Sequence, residues 1–207
     1  MLTFRIVTME HPTLSSEAKV YRLLLRAQIV RHLQQRERHV PASMLERQPP
    51  RAPPPSVCTY QLAGYAELEQ VFSRIVLEFE DLYGDHIASL FTGWPSTKSA
   101  LRMFVTGVME NSLRCSRAEW GCMIAISIFL IHVAIRCSDQ DMEEQIAPII
   151  VYSAQLADEN LMAFVRAHGG WSAFTLAFRA ENREATPRPP SGLLVAQTIM
   201  AAACAIL

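Results

Sequence analysis

Charge is scarce in this 207-residue chain: 19% of residues are Asp, Glu, Lys or Arg, while half are hydrophobic. Nineteen basic residues against twenty acidic ones leave a net charge of −1. No basic footprint of the kind that holds nucleic acid is present, which excludes that class of partner. Cysteine is sparse and unpaired. Cys58, Cys115, Cys122, Cys137 and Cys204 form no CxxC, and none sits at zinc-ligand spacing from a histidine. That excludes a structural zinc site and argues for buried thiols in a reducing compartment over a disulfide framework. No apolar run of signal-peptide length precedes Glu10, so secretion is not expected. Neither a nucleophile elbow nor a phosphate loop nor a metal motif occurs, and the six histidines are dispersed. No enzyme, cofactor or metal is therefore expected. His132 reads as a satisfied core residue rather than a base. Alternation of period two is missing as well, which removes strands and points to an all-α fold.

What the chain does have is one long apolar run. From Cys122 to Ile135 only Ser127 and His132 interrupt it. A helix apolar on every side is buried all round, and at this length a protein core is a better host than a bilayer. Ser116 and Glu119 read as a capping box at its start, with Arg136 near its end. The other helices are expected to wrap around it. The first spans 13–36, capped by Thr13 or Ser15, with Val20, Leu23, Leu24, Ala27 and Val30 on one face. Residues 37–57 hold six of the twelve prolines and read as an extended or disordered loop.

The most regular stretch follows. Leu68, Val71, Phe72, Ile75, Val76, Phe79, Leu82 and Tyr83 keep helical spacing, with acidic residues opposite. Gly84 reads as a stop, with a short helix over 86–91. Another helix begins near Ser96 and carries Leu101, Phe104, Val105, Val108, Met109 and Leu113. A partner of the central helix is expected over 139–157, kinked or interrupted by Pro148. The next runs over 158–167 and stops at His168-Gly169-Gly170. One or two last turns carry Trp171 to Phe178. Charge is uneven as well: residues 1–59 carry nine basic against four acidic residues, and residues 60–85 one against six. The segments complement each other. A polar linker over 180–191 leads to the uncharged run 192–207, which reads as a C-terminal membrane anchor; residues 1–179 form the helical domain.

Two segments carry a family resemblance. His168-Gly169-Gly170-Trp171-Ser172-Ala173-Phe174 resembles the second homology motif of the Bcl-2 apoptosis-regulator family. Glu119-Trp120-Gly121-Cys122 resembles its first, whose usual core is Asn-Trp-Gly-Arg. Motif spacing, helix order, the proline-rich loop and the apolar tail agree with the family. The resemblance implies a helical bundle around one buried helix. It also implies a hydrophobic groove that receives the amphipathic death helix of pro-apoptotic Bcl-2 family partners. The expected groove residues are Phe72, Ile75 and Phe79, then Met109 and Leu113, then Arg117, Trp120, Gly121, Cys122, Ala125 and Phe129, and finally Gly170, Trp171 and Phe178. Location at the mitochondrial outer membrane or endoplasmic reticulum, with a cytosolic pool, is implied too. The degenerate first motif resembles copies carried by large DNA viruses such as herpesviruses, which favours an anti-apoptotic role. A membrane-permeabilising member and a scaffold without groove binding are the alternatives.

Two departures bear on that groove. Cys122 stands where the family has the arginine that meets the partner's aspartate. Either Arg114 or Arg117 takes its place, or binding is narrow and weak. The chain's own third motif is also poor. Leu68, Phe72, Ile75 and Phe79 keep its anchor spacing, but Val76 and Leu77 occupy its small and acidic positions, which favours a receptor of such helices over a donor.

Overall fold

The computed structural model describes residues 14–45, 59–89, 91, 94–115 and 119–179, the side chains of 59–63, 86, 114 and 115 excepted. All regular structure among these residues is helical. In chain order it comprises α1 (Ser16–Gln35), α2 (Ala42–Leu45), α3 (Thr59–Ser89), α4 (Lys98–Cys115), α5 (Trp120–Asp139), a 3-10 turn (Glu143–Gln145), α6 (Ile146–Asn160), α7 (Met162–Ala167) and α8 (Gly170–Ala177). The linker and apolar tail over 180–207 lie outside the described residues.

α5 is the axis, and α1, α3, α4 and α6 all pack against it. From Cys122 to Ile135 every side chain but His132 is buried, as its uninterrupted apolar pattern predicts. Each buried Ile, Leu or Phe contributes about 1.5–3 kcal/mol, partly offset by lost side-chain freedom. The polar interruption at Ser127 is satisfied internally. Its hydroxyl donates to the Met123 carbonyl at 2.7 Å and faces the Tyr21 hydroxyl of α1 at 3.1 Å. Burial pushes the Tyr21 phenol well above its usual range, so it stays a neutral donor. The expected capping box is not what begins this helix. Glu119 is the N-cap, without a side-chain cap bond, and Ser116 lies outside the described residues.

α1 starts at Ser15, whose hydroxyl accepts from the Ala18 N–H at 3.2 Å. Thr13 is outside the described residues. Asp158 of α6 holds the same serine twice, through its N–H at 2.8 Å and its hydroxyl at 2.5 Å. Within the expected loop, residues 42–45 form one helical turn. The Arg26 guanidinium secures it by donating to the Met44 carbonyl at 2.8 and 3.0 Å.

Three boundaries differ from expectation, each for a physical reason. α3 runs unbroken through Gly84 to Ser89. A mid-helix glycine costs about 1 kcal/mol, less than the burial of Val76, Phe79 and Ile87 on either side of it returns. Pro148 causes no kink, because it is the third residue of α6. Backbone N–H groups in a first turn have no helical acceptor, so proline removes nothing there. The stretch before it is the 3-10 turn rather than helix. α7 likewise starts at Met162, and its stop is as expected: Gly169 and Gly170 adopt φ of 89° and 70°. Only glycine visits that region cheaply, and a Cβ on Gly169 would lie 3.1 Å from that of Ala173.

Candidate functional site

α3 and α4 both lie on α5 but hardly touch each other. The arrangement is a notch with α5 as floor, α3 as one wall and α4 as the other, and α8 packs on α3 at its end. The predicted groove residues other than Arg117 lie on α3, α4, α5 and α8 or at their ends. Phe72, Phe79, Met109, Cys122, Ala125 and Phe129 are buried in one continuous core. Ile75, Leu113, Trp120, Trp171 and Phe178 are partly buried against it. Gly121 is half-buried at the start of α5, and Gly170 belongs to the left-handed turn that launches α8. Arg117 lies outside the described residues.

Aromatic rings organise the floor into two clusters. Under the start of α5, Phe174 of α8 is the hub. Its ring centroid lies 5.8 Å from Phe72, 5.3 Å from Trp120 and 4.8 Å from Phe178. Trp120 also meets Trp171 at 6.2 Å and Phe164 at 5.0 Å. Trp171 turns towards α1, where its indole N–H donates to the Glu17 carbonyl at 3.2 Å. It therefore docks α8 on α1 while its ring meets Phe174 at 6.1 Å. The second cluster sits at mid-helix. Phe91, from the α3–α4 connection, stacks on Phe129 at 5.8 Å and meets Phe104 and Trp94 at 6.0 and 5.7 Å.

Phe91 closes the notch over Phe129. Two cavities, of about 670 and 350 Å³, are lined by none of the predicted groove residues. Cys122 has no exposed surface and lies within electrostatic reach of the Tyr21 phenol. It faces nothing that arrives from outside.

Arg74 ties α8 to α3. Its guanidinium donates to the Phe178 carbonyl and to Glu78 at 3.2 Å, and Arg179 pairs with Glu67 at 2.6 Å. Participants absent from the predicted set include Tyr83, whose ring lies 4.6 Å from Phe79, Phe91, Trp94, Phe104, Phe164 and Phe174. Periodicity had marked Tyr83 and Phe104, and Phe174 stood inside the second motif. Phe91 carried no signal, because residues in a connection have no period.

An all-α bundle wrapped around one apolar helix, with a notch between two of its outer helices, is the class of fold this chain adopts. The model of the Bcl-2 family of apoptosis regulator proteins matches residues 68–171, from α3 through Trp171. That is half of the chain, and the chain belongs to the Bcl-2 family of apoptosis regulators. Among solved structures, trBcl-2L2 of Trichoplax adhaerens, crystallised bound to trBak BH3, superposes with a TM-score of 0.61. The two share 19% identity over 79% of this chain and 100% of that one. No curated protein matches the sequence.

Proposed function

We propose that this chain restrains cell death by capturing the amphipathic death helix of a pro-apoptotic Bcl-2 family partner in the notch between α3 and α4. The observation that carries this reading is the notch itself: two helices on a common apolar floor, with little contact between them and half-buried Ile75, Tyr83 and Leu113 along their edges. An incoming helix completes the layer by setting apolar anchors against α5, which is helix-in-groove recognition. The solved relative bound to a BH3 helix supports it by analogy. The buried floor residues mean that binding opens the notch and displaces Phe91, so the affinity carries the cost of that opening.

Among the described residues, α5 is the one helix long and apolar enough to cross a membrane, and most of it is buried in the bundle. That favours a structural axis over a pore-forming segment. The run 192–207 anchors the chain on the mitochondrial outer membrane or endoplasmic reticulum in this reading. The test titrates the full chain with a fluorescent Bak BH3 peptide and scores death in cells expressing it. Saturable binding that Ala125→Glu abolishes, with death suppressed, is expected. Absence of saturable binding removes the groove reading, and enhanced death reverses its sign.

A further inference from the structure

Opposite the aromatic end of α5, three helices meet around a single carboxylate. Glu80 of α3 accepts from His32 Nε2 of α1 at 2.8 Å, and its other oxygen lies 3.3 Å from the Arg36 guanidinium and 3.6 Å from His132 Nε2 of α5. His32 is nearly fully buried, and its Nδ1 faces the Gln28 carbonyl at 2.8 Å. Glu80 is therefore already engaged by a hydrogen bond from α1 and an ion pair with Arg36. The His132 Nε2, by contrast, is buried without a hydrogen-bond partner.

The remaining charges facing this junction come from the same three helices. Asp81 and Asp85 of α3, Arg136 and Asp139 of α5, and Arg38 just beyond α1 line a cavity of about 670 Å³ next to Glu80 and His132. Arg38 and Asp139 pair with each other at 2.8 Å. The cavity gives water and protons a route to His132 without unfolding the bundle. The fourth side of His132 is apolar: its ring lies parallel to Phe91, 6.1 Å away and inclined by 11°.

We propose that this junction is an acid-sensitive latch: a neutral His132 lets the C-terminal half of α3 rest on α5, and a proton on it loosens that wall of the notch. A cation on His132 would crowd a carboxylate that His32 and Arg36 already engage, with Arg136 close by. The consequence reaches the notch directly, since Glu80 follows Phe79 and the Phe91 ring that stacks on His132 also stacks on Phe129. That consequence for partner binding rests on the function proposed above; the latch does not.

Burial, opposed by Glu80 and aided by neighbouring cations, lowers the His132 pKa from 6.5 to about 4. At pH 5.5 the ring then binds a proton only when the junction opens. Linkage multiplies the open population by about tenfold relative to pH 7.5. Amide hydrogen exchange of the full chain, corrected for intrinsic rates, tests this. Protection over 80–89 should fall about tenfold between pH 7.5 and 5.5 relative to α6, and should hold steady in His132→Phe. An equal response in both chains, or none in the wild type, overturns the latch. Affinity for the Bak BH3 peptide should fall in parallel in the wild type alone. If neither chain binds peptide at pH 7.5, the groove reading fails while the amide result still decides the latch.

Discussion

The two ends of α5 are held by opposite physics. At its start, Trp120 meets three other aromatic rings, those of Phe164, Trp171 and Phe174. At its far end, His132 and Asp139 face Glu80, Arg36 and Arg38 around a cavity of about 670 Å³. Apolar burial is indifferent to salt and pH near neutrality, whereas ion pairs respond to both. One helix thus has an end that provides stability and an end whose stability depends on conditions.

The largest effect expected from breaking the aromatic end comes from Phe174→Ala. This ring has no exposed surface and touches four others. The loss should be about 3–5 kcal/mol by denaturant unfolding, independent of salt. A loss under 1 kcal/mol would mean that α8 packs loosely. Cys122→Arg comes next. It restores the family's residue but places a cation where the side chain has no exposed surface, at a cost of about 3–5 kcal/mol for an unpaired buried charge. A variant as stable as the wild type would show that the start of α5 reaches solvent readily.

Glu80→Gln probes the charged end and should cost about 1.5–3 kcal/mol at pH 7, the range for hydrogen bonds to charged groups. The His32 hydrogen bond is the main cause holding the Glu80 carboxyl below its usual value. A depressed carboxyl pKa stabilises the fold above the unfolded value near 4.5, and that contribution disappears as pH falls through the folded one. The wild type and Glu80→Gln should therefore converge in stability as the pH is lowered from 5 towards 3; a constant gap would mean that the charge is irrelevant. The smallest effect belongs to Arg38→Ala, which removes a pair whose arginine is about half exposed. The expected loss is under about 1 kcal/mol and shrinks further in 0.5 M salt. A larger, salt-independent loss would show that Arg38 acts through packing.

The buried side of α3 and the axis were largely legible before any coordinates. The 3–4 spacing over Leu68–Tyr83 predicted the burial of Leu68, Val71, Phe72, Val76 and Phe79, though Leu82 in the same pattern is exposed, and the run after Trp120 predicted the axis. Periodicity reports burial well because each helical turn repeats the same choice between core and water. It says nothing about connections, and Phe91 was missed there. Nor does it tell a groove floor from an ordinary core: Phe129 and Ala125 have no exposed surface at all.

The amino-acid order by itself determined the all-α class, the axial helix and the glycine turn before α8. Those follow from local spacing and from the φ values that only glycine adopts readily. It did not determine the side of α1: of its expected face only Leu24 is buried and Leu23 is exposed, while Ala18, Tyr21, Leu25, Gln28 and Ile29 meet the core. Only the tertiary structure decided that α3 continues through Gly84 and that Pro148 falls in a first turn, because burial outweighs a local preference of about 1 kcal/mol. It alone brought His32, Glu80 and His132 together across 48 and 52 residues of chain. Charges so far apart in sequence meet when their helices dock on one apolar axis, and the low dielectric at that contact turns three ordinary polar residues into a coupled group.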